Sequence, residues 1–447
     1  MPMAAVTAPR QVGVRQVFRA IFFLRTFLVS LVAVLWSCAC LAFESSLDVD
    51  INKVLVEEGL TGGAWMLIGE DGAATLGSAG VQDNSNKTTF APDTRFHVGS
   101  LTKTVLATGV LRLVAEGKIN LDAPVLGYLP DLFSDKPPAG FADITVRHLM
   151  DHTAGLNDAH LWQMFSERAD PDTPLVAAFP DPESQLQVRA RPGSRFSYSN
   201  MGYTLLGMII ESIAGGRYET YLDEFVLAPI GLHDSTFAFT TPESEDADPM
   251  QARGPVDDGA PDAASPIFLR PAGQFTTTIA DLARFAQFLL GDGVIDGQFF
   301  IERELMRSRG KPFGTDAANE GLVAGYALGV GRRDRHGVVG YCHGGNIVGF
   351  VAMLCIFPEE QKAFAYSVNT DSETADYGRI DALLIAALDI AGAAPPGVAG
   401  PAPDIAEWHG RYVLSPNRFQ MFEYLDTCLL YTSPSPRDFK YDLVCRL

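Results

Sequence analysis

A serine and a lysine with Ser-x-x-Lys spacing stand at the start of a long apolar segment, residues 96–117. Apolar residues recur at helical spacing after Ser100 and Lys103, and Gly117 is typical of a helix end. Side chains three apart on a helix project from one face, so a neutral lysine amine can take the proton of the serine hydroxyl. Burial and the positive end of the helix dipole both lower the pKa of such a lysine. The pair is therefore a candidate nucleophile with its base.

A second pair with the same spacing shows that spacing alone does not define a site. Ser308 and Lys311 lie in a charged segment and are followed at once by Pro312. No apolar helix follows them, so we expect this segment to lie on the surface. Ser100 must therefore be judged by what the rest of the chain supplies.

Composition limits the partners of this chain of 447 residues. It has 34 Lys and Arg against 54 Asp and Glu, a net charge of −20. A nucleic-acid binder needs a cationic face, and none is visible, so the sequence predicts no nucleic-acid partner. A small-molecule or peptide substrate is compatible with this charge. The oligomeric state is not indicated.

Cysteines and histidines give no metal or cofactor signature. Cys342 and Cys355 flank a predicted hairpin, and the sequence leaves open whether they form a disulfide. His148 and His152 are four apart, as in a metal pair, but no third ligand is nearby. Hydrogen bonds that pin a turn are the favoured role for these histidines. The sequence thus predicts neither a metal nor a cofactor.

The first 42 residues resemble a bacterial export signal. Four arginines precede an apolar run at residues 27–43, and small residues precede a cleavage point after Ala42. Trp36 makes a poor lipobox, and the run is short for a bilayer span, so a lipid anchor and an uncleaved anchor are lesser alternatives. We expect a periplasmic or secreted protein that contacts a membrane only through this segment, if at all.

The remaining chain predicts one large domain, residues 46–393, with an α+β fold. Two strands at 62–80 precede many helices, and strands at 325–370 precede a closing helix at 380–390. This order predicts an antiparallel sheet built from both chain ends and flanked by helices, plus a mostly helical subdomain. Residues 394–404 have linker composition. Residues 405–427 are expected to begin a truncated β-rich module, and residues 428–447 resemble translated adaptor sequence, a non-native tail.

Two further motifs follow the Ser-x-x-Lys pair in chain order. Tyr198-Ser199-Asn200 lies in the loop before a predicted buried helix, and His343-Gly344-Gly345 ends a predicted strand. With these motifs the sequence resembles the serine β-lactamase and penicillin-recognising family, in its class C β-lactamase-like branch of esterases and D-peptidases. The resemblance extends over roughly residues 50–390. It includes FHVGSLTK, ITVRHLMDHTAGL, PGSRFSYSNMGYTLLGMIIE, PAGQFTTTIADLARF and YCHGG. It implies a β-lactamase/transpeptidase-like fold.

The resemblance also implies roles for the motif residues. Ser100 would attack an ester, amide or lactam carbonyl to form an acyl-enzyme, with Lys103 and Tyr198 sharing the proton transfers. Asn200 would hydrogen-bond Lys103 and the substrate amide. The backbone N–H groups of Ser100 and Asn346 would form the oxyanion hole.

The strand motif departs from the family pattern at its first residue. His343 stands where β-lactamases usually have lysine, and a histidine is mostly neutral at pH 7. This favours an esterase or a D-amino-acid peptidase over an efficient β-lactamase. Gly344 and Gly345 would let the substrate approach the strand edge. The alternative to a secreted serine hydrolase is a catalytically silent penicillin-binding, peptidoglycan-binding or sensor module of the same fold.

Overall fold

The computed structural model describes residues 46–85, 87–164, 166, 168–242, 247–255, 261–262 and 265–393. The predicted export signal, linker, C-terminal module and non-native tail lie outside the described residues. Within the described ranges, no helix combines the length and the apolar character that a membrane span requires.

An antiparallel sheet of eight strands joins the two ends of the described chain. Its strands are β1 (Gly62–Ile68), β2 (Ala74–Asp83), β3 (Thr88–Thr89), β10 (Gly325–Ala327), β11 (Val330–Arg335), β12 (Val338–Ile347), β13 (Phe350–Phe357) and β14 (Lys362–Val368). Their order is β10-β11-β12-β13-β14-β1-β2-β3, so the last strand pairs with the first. Trp65 lies opposite Tyr366 in that pair. The predicted fold class is confirmed.

Six two-residue strands form three further pairs. They are β4 (Phe96–His97) with β7 (Thr276–Thr277), β5 (Gly254–Pro255) with β6 (Pro261–Asp262), and β8 (Val294–Ile295) with β9 (Gln298–Phe299). The pair of β4 and β7 matters for the site because β4 ends three residues before Ser100. Its pairing with β7 fixes the backbone that leads into the nucleophile turn.

Most of the α-helices lie in the chain between β3 and β10. The α-helices are α1 (Ser46–Glu57), α2 (Thr102–Ala115), α3 (Val146–Met150), α4 (Leu161–Met164), α5 (Pro182–Gln185), α6 (Asn200–Ala214), α7 (Tyr218–Leu222), α8 (Ala228–Ile230), α9 (Arg270–Gly273), α10 (Ile279–Leu290), α11 (Arg303–Arg307), α12 (Asp316–Asn319) and α13 (Gly378–Ala387). Short 3₁₀ turns occur at Gly99–Leu101, Val125–Gly127, Phe141–Asp143 and Leu175–Ala178, and a π-helical turn at Asp223–Leu227.

The apolar runs that predicted the strands are explained by burial on both faces. Every residue of β14 is buried, as is nearly every residue of β1. A strand covered on both faces has a continuous apolar sequence instead of an alternating one. Helix α10 packs against β1, β13 and β14 and covers the centre of the sheet.

Helix ends follow the predicted signals. Gly117 after α2 and Gly215 after α6 adopt positive φ angles of 71° and 70°. The side chain of Thr278 accepts a hydrogen bond from the backbone N–H of Asp281 and so caps α10. Helix α2 is buried along most of its length, so it is a core helix of the domain.

Within the strands predicted at 325–370, the sequence indicates one strand over residues 325–333, and this is wrong, since the structure divides the segment into β10 and β11. Leu328 and Gly329 form the turn between them, with φ angles of 48° and 90°. A Cβ on Gly329 would lie 2.5 Å from Cβ of Ala107, and Oγ1 of Thr104 donates to the Gly329 carbonyl at 2.7 Å. Packing against α2 thus imposes a left-handed conformation that a leucine rarely adopts.

Candidate active site

Ser100 lies in the 3₁₀ turn Gly99–Leu101, directly before α2. Gly99 adopts a φ angle of 51°, and a Cβ there would lie 2.6 Å from the carbonyl oxygen of Asn346. Only glycine fits both the backbone conformation and this close approach. The turn with the predicted nucleophile is therefore pressed against the end of β12.

Lys103 is fully buried and reaches Ser100. Its Nζ lies 3.0 Å from Oγ of Ser100 and 2.6 Å from the carbonyl oxygen of Ala272 in α9. The side chain has 0% exposure. A buried amine at hydrogen-bond distance from a hydroxyl has the geometry needed for proton transfer between the two. The structure thus brings the first two predicted residues together.

Tyr198 lies beside the lysine. Nζ of Lys103 is 5.0 Å from the centroid of the Tyr198 ring. The ring of His152 stacks on the Tyr198 ring at a centroid distance of 4.1 Å. Tyr198, the third predicted catalytic residue, therefore lies next to Lys103 although the two are distant in sequence.

The two histidines considered as a metal pair hold turns in place. Nδ1 of His152 accepts from the backbone N–H of Ser199 at 3.1 Å. Nδ1 of His148 accepts from the backbone N–H of Thr145 at 3.2 Å and completes a capping box at α3. The predicted structural role is confirmed. Within the described part of the chain, no three His, Cys, Asp or Glu residues are grouped to hold a metal ion.

Asn200 is the first residue of α6, and its partner is a residue that the sequence did not suggest. Oδ1 of Asp158 accepts from the backbone N–H of Asn200 at 2.6 Å, and Oδ2 accepts from Nδ2 of Asn200 at 3.2 Å. The side-chain amide therefore donates to Asp158. Asp158 is 42 residues away in sequence. No spacing rule links the two positions.

The predicted glycine-flanked strand edge lies at the end of β12. Strand β11 pairs with β12 only as far as Cys342, and β13 continues on the other side. A Cβ on Gly345 would overlap the carbonyl oxygen of Val98 and lie 2.9 Å from the amide nitrogen of Ser100. The strand edge and the nucleophile turn are thus in direct backbone contact beyond the end of β11.

The other residues of this motif occupy the same edge. Nδ1 of His343 lies 2.6 Å from the carbonyl oxygen of Gly344, and its ring meets Tyr326 edge-on at 5.5 Å. Nδ2 of Asn346 donates to Asp371 at 3.0 Å. Since Asn346 also contacts Gly99, the two backbone amides predicted for the oxyanion hole belong to segments that touch.

Behind the lysine lies a buried polar layer that the sequence analysis missed. The hydroxyl of Tyr203 donates to the carbonyl of Met150 at 2.9 Å and lies 3.4 Å from the hydroxyl of Tyr326. Burial raises the pKa of both phenols, Tyr203 and Tyr326, so each stays protonated at neutral pH. The rings of Tyr203 and Tyr326 both contact the ring of His152 and so support it.

Arg309 corrects part of the expectation for the segment of the second Ser-x-x-Lys pair. Lys311 is exposed and Ser308 is half-buried, as expected of a surface segment, but Arg309 between them is buried. The segment predicted to lie on the surface contains this arginine, which has 5% exposure. It donates to Oγ1 of Thr108 and to the carbonyl of Thr104, both at 3.0 Å, and so fastens the segment to α2. Burial lowers the pKa of Arg309 to about 10. Arg309 therefore has a structural role, since it binds this segment to helix α2, which follows Ser100.

Comparisons with known proteins agree on one family. Residues 48–388 match the family model described as Beta-lactamase. Penicillin-binding protein 4 of Amycolatopsis lactamdurans is 28% identical over 372 residues, which are 78% of this chain and 92% of that protein. Protein flp of Staphylococcus aureus strain MW2 is 26% identical over 337 residues, 74% of this chain and 64% of that protein.

Solved structures share the fold. The octameric penicillin-binding protein homologue from Pyrococcus abyssi superposes with a TM-score of 0.62 at 23% identity, covering 76% of each chain. The D-amino acid amidase from Ochrobactrum anthropi SV3 gives a TM-score of 0.60 at 22% identity, covering 77% of this chain and 98% of that one. At these identities the likeness concerns the fold alone.

Proposed function

The chain belongs to the Beta-lactamase family, and on that premise we propose that it is a serine hydrolase that cleaves an ester or amide bond through an acyl-enzyme on Ser100. The observation that supports this most directly is the distance of 3.0 Å between Nζ of Lys103 and Oγ of Ser100. A buried lysine that had lost its catalytic role would be costly to keep next to a serine.

The proposed reaction has two steps on the same serine. In the first, Oγ of Ser100 attacks the substrate carbonyl while its proton passes to the Lys103 and Tyr198 pair, and the leaving alcohol or amine departs with a proton. In the second, water attacks the acyl-serine ester and releases the acid. The backbone amides of Ser100 and Asn346 would stabilise the oxyanion in both steps.

Substrate preference is inferred from the edge of β12. His343 offers no permanent cation for a substrate carboxylate, whereas the lysine usual at this position does. We therefore propose esterase or D-amino-acid peptidase activity ahead of efficient β-lactam hydrolysis.

Export is part of the proposal. It rests on the N-terminal sequence, and the disulfide between Cys342 and Cys355 supports it, because disulfides persist in oxidising compartments. Fractionation of cells that express the full chain tests it. Recovery of the protein in the cytoplasm, with both cysteines reactive, would contradict it.

The experiment that tests the hydrolase is a comparison of wild type with Ser100→Ala. The panel contains p-nitrophenyl esters, D-amino-acid amides and nitrocefin, and a fluorophosphonate probe reports covalent labelling by intact mass. We expect turnover of an ester or an amide and labelling of wild type only. A folded wild type that is neither labelled nor active would favour the silent binding module.

A further inference from the structure

Phe196 is an exposed aromatic residue whose ring lies beside three rings of the candidate site. The exposed fraction of Phe196 is 38%. Its ring centroid lies 5.9 Å from that of His152, 6.0 Å from that of Tyr326 and 6.5 Å from that of Tyr198. A single exposed phenylalanine is ordinary on a protein surface. Phe196 differs because one of the rings beside it belongs to the proposed base, Tyr198.

The ring of Phe196 is connected to both elements that a substrate contacts in the proposed reaction. On one side, the ring of Tyr198 lies next to the amine of Lys103, with 5.0 Å between Nζ and the ring centroid. On the other side, the ring of Tyr326 meets the ring of His343 edge-on at 5.5 Å, at the edge of β12. Phe196 is therefore one ring away from the base and one ring away from the strand edge.

The backbone on both sides of Phe196 is fixed by hydrogen bonds. The carbonyl of Ser194 accepts from the backbone N–H of Asp316 at 2.8 Å, and the backbone N–H of Ser197 donates to the carbonyl of His152 at 2.6 Å. A ring held in this way loses little conformational freedom when a ligand packs against it. Phe196 thus offers a preorganised apolar surface next to the base.

Proton balance indicates which part of the substrate meets this surface. During acylation the bond from the carbonyl carbon to the leaving oxygen or nitrogen breaks, and that atom takes up a proton from the Lys103 and Tyr198 pair. The leaving atom must therefore come within hydrogen-bond reach of this pair. Its substituent then extends over the residues that surround Tyr198, where Phe196 is exposed.

We propose that Phe196 forms an apolar subsite for the leaving group, so that the enzyme prefers esters or amides whose alcohol or amine part is aromatic. The inference rests on the proposed hydrolase function, because it names the leaving group of that reaction. Phe196 is a specificity-determining residue and takes no part in the proton transfers. Since the leaving group has departed once the acyl-serine is formed, Phe196 acts on acylation and not on hydrolysis of the acyl-serine.

Two isomeric esters place the same phenyl ring on opposite sides of the bond that is cleaved. Benzyl acetate has the ring on the leaving alcohol, methyl phenylacetate has it on the acyl group, and methyl acetate, without the ring, is the reference. We expect wild type to have a kcat/KM about tenfold higher for benzyl acetate than for methyl acetate, a factor that one aromatic contact can supply. Equal values, measured by titration of the released acid, would overturn the proposal.

Phe196→Ala removes the ring from the proposed subsite. We expect kcat/KM for benzyl acetate to fall about tenfold, while the values for methyl acetate and methyl phenylacetate change by less than about twofold. A merely structural role in supporting His152 or Tyr198 would lower all three values equally, which would overturn the proposal. An equal loss for the two isomers would overturn it as well.

Two further variants control for the loss of an exposed aromatic ring. Phe196→Leu keeps an apolar side chain and should retain part of the preference for benzyl acetate. Phe225 is also exposed, and its ring stacks on that of Tyr221 at a centroid distance of 5.3 Å, in a different part of the chain. Phe225→Ala should therefore leave all three kcat/KM values as in wild type, and an effect as large as that of Phe196→Ala would contradict the assignment of the subsite.

Hydrolysis of the acyl-enzyme gives a second readout. Methyl acetate and benzyl acetate produce the same acetyl-enzyme on Ser100, so its rate of hydrolysis depends on the catalytic groups alone. Intact mass spectrometry after a pulse of either ester measures that rate. We expect the same rate in wild type and Phe196→Ala. A slower hydrolysis in the variant would show that Phe196 acts through the catalytic groups and would overturn the proposal.

Failure of the hydrolase proposal is distinguished by a measurement without turnover. If wild type hydrolyses none of the three esters faster than Ser100→Ala does, NMR titration gives the dissociation constants of benzyl acetate and methyl acetate. These are measured on Ser100→Ala and on Ser100→Ala combined with Phe196→Ala. Tighter binding of benzyl acetate that Phe196→Ala removes would support the subsite even then. Equal binding of the two esters to the variant that retains Phe196 would overturn it.

Discussion

Gly345 and Val98 are in backbone contact so close that a Cβ on Gly345 would overlap the Val98 carbonyl oxygen. This contact joins the edge of β12 to the turn that contains Ser100. Each of the two joined segments contains one of the backbone amides proposed for the oxyanion hole, those of Ser100 and Asn346. Their mutual distance is therefore set by a glycine and not by a side chain that could adapt.

Gly345→Ala should remove activity while the fold persists. The added methyl meets backbone atoms, so β12 must move away from the nucleophile turn and misalign one oxyanion donor. Loss of one such donor costs about 100-fold in kcat. Steady-state kinetics with a p-nitrophenyl ester, alongside thermal unfolding, measures the effect.

Two neighbouring glycines provide graded controls for that prediction. A Cβ on Gly344 meets only the end of the flexible Met353 side chain at 2.9 Å, so Gly344→Ala should cost less. A Cβ on Gly331 in β11 has its nearest neighbour at 3.5 Å, and Gly331→Ala should leave the rate within about twofold. Equal losses in Gly345→Ala and Gly331→Ala would contradict the steric argument.

His343→Lys should shift the enzyme toward substrates with a carboxylate. A lysine at the edge of β12 supplies a permanent cation, and a charged hydrogen bond contributes about 1.5–3 kcal/mol. We expect the rate constant for acylation by benzylpenicillin to rise about tenfold or more, while a neutral ester gains nothing. Intact mass spectrometry over time measures acylation.

Two controls test whether the gain in acylation rate comes from a contact at position 343 or from long-range attraction: a change of salt concentration and a second lysine variant. The gain from His343→Lys should decrease only partly between low and high salt, because the site is sheltered. Val339→Lys adds the same charge on the exposed part of the same strand. If Val339→Lys accelerates acylation as much, the effect is long-range attraction and the proposed role of position 343 is wrong.

Much of the fold could be predicted because its signals are local. The strands at 62–80 and 336–370 are apolar runs bounded by turn residues, and glycines stop α2 and α6. The turn at Leu328 was missed for the opposite reason. Nothing in a leucine indicates a positive φ angle, and the close packing of Gly329 on Ala107 that imposes it is tertiary.

The candidate site also contains residues that local signals predict and residues that only tertiary contacts reveal. Ser100 and Lys103 lie in one helical turn, and the other motif residues follow in the order of a known family. Asp158 and Arg309 were missed because a charged residue is expected at the surface, and both are buried by contacts with distant segments. A buried charge becomes recognisable only when its partners, such as Asn200 or Thr108, are seen beside it.

Removal of the disulfide should destabilise the sheet. Cys342 and Cys355 face each other across β12 and β13 and are bonded in the structure, which settles the alternative that the sequence left open. Replacing both by alanine should lower the free energy of unfolding by about 2–4 kcal/mol. Urea denaturation with and without reductant measures this. Reductant should bring wild type to the stability of the double variant, and no effect of reductant would contradict the prediction.

Asp151 connects the turn between β10 and β11 to the end of α3. Its Oδ1 accepts from the backbone N–H of Leu328 at 2.7 Å, and its side chain is buried. Burial raises the pKa of Asp151 to about 7, although the hydrogen bond from Leu328 and the charge of Arg147 act in the opposite direction. Between about pH 4 and pH 7, the folded protein therefore keeps a proton on Asp151 that the unfolded chain has released.

Asp151→Asn should therefore change how stability depends on pH. The unfolded chain releases this proton near pH 3.8 and the folded chain near pH 7, so the contribution of Asp151 is complete below pH 4 and is lost as pH rises to about 7. An asparagine keeps the acceptor for Leu328 without this loss, and its stability relative to wild type should grow from pH 5 to pH 8. Urea denaturation across that range measures it, with Asp131→Asn, an exposed aspartate, as the control. A difference between Asp151→Asn and wild type that stays constant with pH would show that Asp151 is ionised in the folded protein throughout.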